Sequence, residues 1–518
     1  MDAPGSPNPP ASTRRVPPLA VPIAFAAAAF LLLLVPGLLG KYGPFIDELY
    51  YVSCAERLAW GYVDHPPLAP ALLKLSRALL GDGLLALRLP VAAAGALLMY
   101  GVGLLARRLG AGALGQSVAC AALITAPLYQ IMFGFYSMNA LEILLWAALI
   151  WVLLEVELRN APRLWLLFGG LAGLALLTKH TVVMLALALG IAMVATPARR
   201  HFASRWLWLG AVLAALLFAP NLAWQVEHGW PSLEFYRNAS LHKQVRMPPL
   251  QVLSLQAIFV SPGTLPVWLA GLALLWKRRE LRHVSVLYLV LLAAMAVAHE
   301  GRPDRISGAY PALFAAGGVW WDRTLAAWRS WARPAPFAWI AAWGAVLLPL
   351  GVPVLPPETT ARWATALGVV PQLERGAGKR TALPQWFADR LGWERLVDDV
   401  AEARARLTPE ERRRVAYFAP SYGQAGALEW LGRERGLAPV YSTHNSFFLW
   451  GPPPDPVEVA VVIGNRRENL EELFEDVTLA ARHECGLCMP WRNGMPIWIV
   501  RRPRGRIADH WASWRHFE

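Results

Sequence analysis

Two adjacent carboxylates, Asp47 and Glu48, stand next to two tyrosines in the stretch Pro44-Phe45-Ile46-Asp47-Glu48-Leu49-Tyr50-Tyr51. A second stretch, Gly61-Tyr62-Val63-Asp64-His65-Pro66-Pro67-Leu68, follows within a few residues. Carboxylates paired in this way can take a proton from a hydroxyl or hold a cation, and tyrosines beside them can orient a polar substrate. A plainer reading of the same residues is also open. Asp47 can cap a short interfacial helix, for which Asp is well suited, and His65 before Pro-Pro can serve only a turn. If Asp47 is a base, Glu48 is not interchangeable with it, because neighbours on a helix project about 100° apart.

The elements that must position these residues are apolar. Of 518 residues, 56% are hydrophobic and 16% charged, with a mean hydropathy of +0.36; soluble domains carry about 25% charged residues. After a Pro- and Ser-rich tail over 1–16, read as disordered and cytoplasmic, apolar blocks recur through 17–355. They lie at about 19–40, 88–106, 113–132, 138–156, 163–177, 181–196, 206–221, 252–276, 283–298, 306–321 and 336–354. That is about eleven spans of the roughly 20 residues a bilayer core requires. The first is too long for a signal-peptide core and lacks a small-residue exit, so it reads as an uncleaved span.

One set of alternate loops is basic, including Arg107-Arg108, Arg199-Arg200 and Lys277-Arg278-Arg279. The other set is longer and mixes signs, beginning with the first outer loop, 41–87. The positive-inside rule places the basic set, and the N-terminus, in the cytoplasm. An odd number of spans then puts residues 356–518 outside. Tryptophans such as Trp206, Trp208, Trp230 and Trp276 fall near span ends, as interface anchors do. The net charge of +13 resides largely in these loops, which argues against nucleic acid as a partner.

Residues 356–518 are polar enough for an α/β domain. Arg414–Ala419, Val457–Ile463 and Met495–Arg501 read as strands, Asn469–Arg482 as an amphipathic helix, and the region of Gly423, Gly426 and Gly432 as turns. The glycines fall far short of a dinucleotide fingerprint. Cys54 and Cys120 read as packing residues. Cys485 and Cys488 form a lone C-x-x-C, too little for zinc and compatible with a local disulfide in an oxidising compartment.

The D-E-x-Y-Y element followed by x-P-P-L resembles the protein O-mannosyltransferase and aminoarabinose-transferase group of GT-C membrane glycosyltransferases. The resemblance continues at Phe135-Tyr136-Ser137-Met138-Asn139-Ala140-Leu141-Glu142, Leu177-Thr178-Lys179-His180 and Ala309-Tyr310-Pro311. In the tail it reaches Tyr422-Gly423-Gln424-Ala425-Gly426-Ala427 and Ser442-Thr443-His444-Asn445-Ser446. It implies a polytopic α-helical GT-C fold, with a C-terminal extracytoplasmic α/β domain. It further implies transfer of a sugar from a polyprenyl-phosphate donor to a hydroxyl on a protein, lipid or cell-envelope glycan, with inversion and with Asp47 as base. The leaving phosphate is already anionic, so cations rather than a general acid are needed. Lys179, Arg302 and Arg305 are the candidates, with Arg57, Arg237, Lys243 and Arg246 behind them.

Tyr50, Tyr51, His65, Asn139, Glu142 and Tyr310 complete the expected substrate site. Tyr50, Tyr51 and Tyr62 are expected on interfacial helices, facing lipid or the carrier. Asn139 and Glu142 lie three apart on one helix face. Many relatives have an acid near position 139, so the asparagine leaves Glu142 as the expected partner. Asp47, Glu48, His65 and Glu142 are candidates to hold Mg²⁺, Mn²⁺ or Zn²⁺, although their spacing matches no fixed metal motif. The competing function is a secondary transporter or lipid flippase. Such a protein places its ionisable residues near the midplane at repeat-related broken helices, and no internal repeat is visible.

Overall fold

The computed structural model describes residues 19–39, 41–243, 245–369 and 381–518. The expected 1–16 tail lies outside them. Every expected apolar block contains helix. Among the described residues, four helices are long and apolar enough to cross a membrane: Ala20–Leu38, Leu84–Arg108, Arg205–Glu227 and Ser330–Gly351. Two bent pairs raise that number to six, and Ala113–Ile124, Leu164–Leu176 and Arg282–Val297 are shorter apolar helices. The expected eleven full-length spans are therefore not what length and composition give. Proline accounts for two of the differences. The 113–132 block stops at Ile124 and restarts with Pro127 at the head of a short helix. The 252–276 block bends by 85° around Pro262. Proline cannot donate the backbone hydrogen bond and its ring crowds the preceding turn.

The helices pack through small residues. Gly169 and Gly210 bring Leu164–Leu176 against Arg205–Glu227 so closely that a Cβ on either would strike the other helix's backbone. Gly271 and Gly317 do the same for Leu265–Lys277 and Tyr310–Ala327. In lipid, where apolar surface gives no drive to associate, close backbone approach is what holds helices together.

The tail forms a five-stranded sheet in the order β2-β1-β3-β5-β4, with β1 Ala416–Phe418, β2 Val440–Tyr441, β3 Val459–Ile463, β4 Phe474–His483 and β5 Met495–Pro503. β1 runs parallel to β2 and β3, and β5 antiparallel to β3 and β4. The expected Asn469–Arg482 helix is half wrong. Helix covers only Arg467–Leu473, and β4 follows at once. Its buried residues, Phe474, Val477, Ala480 and His483, fall three apart around a register shift at Leu479/Ala481, which imitates a helical stripe.

The Gly423–Gly426 stretch is a helix too, Tyr422–Leu431, rather than a turn. Gly423 and Gly426 lie directly on the Ile46–Glu56 helix of the first loop, where a Cβ at Gly426 would reach the Leu49 carbonyl at 2.5 Å. Arg57 adds an ion pair to Glu429 at 2.6 Å. One buried apolar cluster accordingly runs from Ala29 and Leu98 through Leu49 and Trp393 to Tyr417 and Ile499. The loop, the helices and one face of the sheet share a core. Cys485 and Cys488 are joined as a disulfide, while Cys54 and Cys120 are buried and free.

Candidate active site

The Ile46–Glu56 helix sets the site. Phe45, extended, is its N-cap, and the Glu48 side chain reaches back to accept the Phe45 N–H at 2.7 Å. Glu48 is fully buried, accepts the Tyr136 N–H at 2.6 Å and is ion-paired with buried Arg88. It fastens the loop to the bundle and does not line the cavity that Asp47 borders. Asp47, one position earlier, is not the cap either. It points the other way, into a cavity of about 200 Å³, where its Oδ1 accepts the Tyr422 hydroxyl at 3.0 Å.

Asp64 lines the same cavity, and its Oδ1 accepts the Tyr50 hydroxyl at 2.9 Å. Tyr50 in turn accepts the Ser446 N–H at 3.2 Å. The expected outward-facing tyrosines are inverted. Tyr50, Tyr51 and Tyr62 are all buried, packed around His65, because the tail domain covers the loop that the sequence leaves open to lipid. His65 is buried behind the cavity and its Nδ1 engages the Pro66 carbonyl at 3.0 Å. Tyr51 accepts the Met138 N–H at 3.2 Å. Tyr50, Tyr51 and His65 thus support the cavity wall and do not line it.

The same cavity is also lined by basic residues, with Glu300 and Glu518 among them. Lys179, buried at the turn between Leu164–Leu176 and Val182–Val194, donates to Asn139 Oδ1 and Glu142 Oε2, each at 2.7 Å. Arg302 and Arg305 line the cavity close enough to Lys179 for their charges to act on it. Arg302 makes a two-pronged contact with Asp304 at 3.0 and 3.2 Å, and Arg305 lies 3.6 Å from Glu300. Lys243 also reaches the cavity, whereas Arg57, Arg237 and Arg246 do not border it. Tyr310 is displaced from the site altogether. It is buried between Tyr288 and Gln256, hydrogen-bonded to both at 3.1 and 2.9 Å.

The four expected metal ligands do not converge. Glu48 is taken by Arg88, Glu142 by Lys179 and Thr181, and His65 by the chain beside it. Among the described residues, no group of three or more His, Cys, Asp or Glu side chains is placed to hold a metal ion. The residues present therefore do not fit that metal site.

Residues 64–224 match the family model for dolichyl-phosphate-mannose-protein mannosyltransferases. Crystal structures of ArnT from Cupriavidus metallidurans are similar over nearly the whole length. The apo form shares 18% identity at a TM-score of 0.61, covering 92% of this chain and 97% of that one. The form bound to undecaprenyl phosphate shares 16% at a TM-score of 0.61, with the same coverage. The fold is that of the GT-C membrane glycosyltransferases. No curated protein matches the sequence. Within that fold, the cavity lies where the first loop, the Lys179 turn and the tail domain converge. Asp64, Tyr422, Asn445, Glu300 and Glu518 are cavity residues beyond those expected. Tyr422 and Asn445 sit in the tail motifs that carry the family resemblance, and Asp64 in the loop motif itself.

Proposed function

We propose that the chain is a glycosyltransferase that moves a sugar from a polyprenyl-phosphate donor to a hydroxyl acceptor on the extracytoplasmic face of the membrane. The observation that carries this reading is a single cavity lined both by Asp47 and Asp64, with Glu300 and Glu518, and by Lys179, Arg302 and Arg305. Binding of undecaprenyl phosphate by the similarly folded ArnT supports a lipid-phosphate donor.

In this mechanism the acceptor O–H approaches Asp47, which takes the proton. The acceptor oxygen bonds to the anomeric carbon from the side opposite the phosphate, and the configuration inverts. The C–O bond to the phosphate breaks, and both electrons leave on the phosphate oxygen. Lys179, Arg302 and Arg305, which line the cavity, stabilise that charge as it develops. An ordinary Asp, with a pKa near ~3.9, is a weak base. It suffices because the acceptor hydroxyl becomes acidic only as the oxocarbenium-like centre forms. The Tyr422 hydroxyl donates to Asp47 Oδ1 and so fixes the direction in which the carboxylate faces the cavity. Asp64, held by Tyr50, contributes negative charge that favours the cationic sugar ring.

The test is donor turnover by the purified protein in proteoliposomes. Asp47→Asn should lower kcat by about 10²–10⁴-fold with an unchanged unfolding midpoint. Near-normal turnover at saturating donor and acceptor would remove Asp47 as base. Donor movement across the bilayer without product would move the reading to a transporter.

A further inference from the structure

A second and larger cavity, about 760 Å³, lies in the tail domain and shares no lining residue with the Asp47 cavity. It sits over the sheet face that carries Phe418 and Val462, between the Arg467–Leu473 and Ile507–Trp511 helices. Its mouth is formed by the chain just after three parallel strands: Ala419 and Pro420 after β1, Ser442 and Thr443 after β2, and Asn465 after β3. The crevice beyond the carboxyl ends of parallel strands is where open α/β sheets take ligands, because the connections diverge there. Pockets of roughly 300–1,000 Å³ suit ligands of a few rings.

The lining narrows the chemistry. Among the described residues, no lysine or arginine borders the groove while the Glu472 carboxylate does, which disfavours phosphates, nucleotides and other anions. The rim instead offers neutral hydrogen-bonding side chains, Ser442, Thr443, Asn465 and Asn469. Trp514 is half-buried, with its apolar body on the sheet's second core cluster, and stacks on His510 at 5.5 Å with ring planes 12° apart. An apolar aromatic floor beneath neutral donors and acceptors complements a sugar ring, whose faces are C–H and whose edges are hydroxyl.

The same short segment walls both cavities. Ser442 and Thr443 face the groove, while Asn445, two residues on, lines the Asp47 cavity. Pairing with His516 fixes it, through His516 N–H to the Thr443 carbonyl at 3.0 Å and Asn445 N–H to the His516 carbonyl at 2.9 Å.

We propose that this groove binds a neutral oligosaccharide and holds the acceptor as a glycan; the acceptor role rests on the transferase reading. The probe is a pool of short neutral oligosaccharides, released by mild acid from the envelope polysaccharide of the source cells and labelled with a fluorophore. The full chain in nanodiscs should bind the pool saturably. Trp514→Ala and Asn469→Ala should each weaken binding by ~10-fold or more, as loss of an anchor does. Trp514→Phe, which keeps an aromatic floor, should restore most of it. In transfer assays with the same pool, KM should rise by the matching factor while kcat holds.

The proposal is overturned if wild-type protein turns over donor yet does not bind the pool, or if Trp514→Ala binds it as wild type does. It is also overturned if palmitate displaces the pool competitively, since the occupant is then an acyl chain. Asp47→Asn separates the two readings. It should bind the pool normally and transfer about 10²–10⁴-fold more slowly; binding together with retained turnover would defeat Asp47 as base and leave the groove intact.

Discussion

Replacing Glu48 by glutamine removes one charge from a place where three donors converge. The Phe45 N–H meets Oε2, while the Tyr136 N–H and the Arg88 guanidinium both meet Oε1. Whichever oxygen becomes the amide NH₂, a donor then faces a donor, and buried Arg88 loses its counter-charge. Removing one partner of a buried pair costs roughly 3–5 kcal/mol, because the other charge stays in a low dielectric. At about 1.4 kcal/mol per tenfold, 4 kcal/mol is close to a thousand-fold in the unfolding equilibrium. The assay is pulse proteolysis of wild type and Glu48→Gln in mild detergent across a urea series, with donor turnover measured on the same samples. The expected result is a large shift in the urea midpoint and near-normal turnover per folded molecule. The Glu48→Gln/Arg88→Met double variant should be less destabilised than the sum of the singles by about 0.5–3 kcal/mol. An unfolding curve that overlays wild type, together with a fall in kcat, would refute the assignment and return Glu48 to the reacting centre.

Lys179→Ala should raise the KM for the lipid-phosphate donor at least ~10-fold, since a buried point charge for phosphate is lost; an unchanged donor KM in proteoliposomes would take Lys179 out of the site. Asp64→Asn should lower kcat less than Asp47→Asn and leave donor binding in place, and single-turnover kinetics on the two variants rank them. His444 gives a pH test. Burial pushes its imidazole well below the ordinary 6.5, helped by Lys243 and His516 and opposed by the Glu518 carbonyl it engages at 3.0 Å. The unfolded chain takes up that proton as pH falls through 6.5 and the folded chain does not. Stability should therefore be complete above 6.5 and decline below it, by up to ~1.4 kcal/mol per pH unit. His444→Gln should flatten that slope in thermal-shift scans between pH 7.5 and 5; an unchanged slope means His444 is not its source.

The apolar blocks were legible because lipid demands helical, apolar runs, and every block did contain helix. That Asp47 lines a cavity agrees with the loop motif that singled it out. Its neighbour shows the limit. Composition cannot distinguish Glu48 from Asp47, since what separates them is Arg88, forty residues away, and the direction of one helical step. The tyrosines were misplaced on the same account. Nothing local in Tyr50 or Tyr51 records that Ser446 and Tyr422, almost four hundred residues later, close over them. β4 was misread because an edge strand with a register shift buries every third residue, the signature normally assigned to a helix.

The Asp47–Tyr422 contact also has a consequence in time. The two residues are 375 positions apart, and a ribosome adding about 5–20 residues per second needs roughly 20–75 s to pass from one to the other. Throughout that interval the first loop is already made while the wall carrying Tyr422 and Asn445 does not yet exist. On the transferase reading, a half-synthesised chain therefore has its loop carboxylate without the Tyr422 and Asn445 side of the cavity and cannot yet turn over donor. Competence arrives only when the tail domain settles onto the loop. Late synthesis of that wall acts as a built-in delay between insertion of the protein and the start of its chemistry.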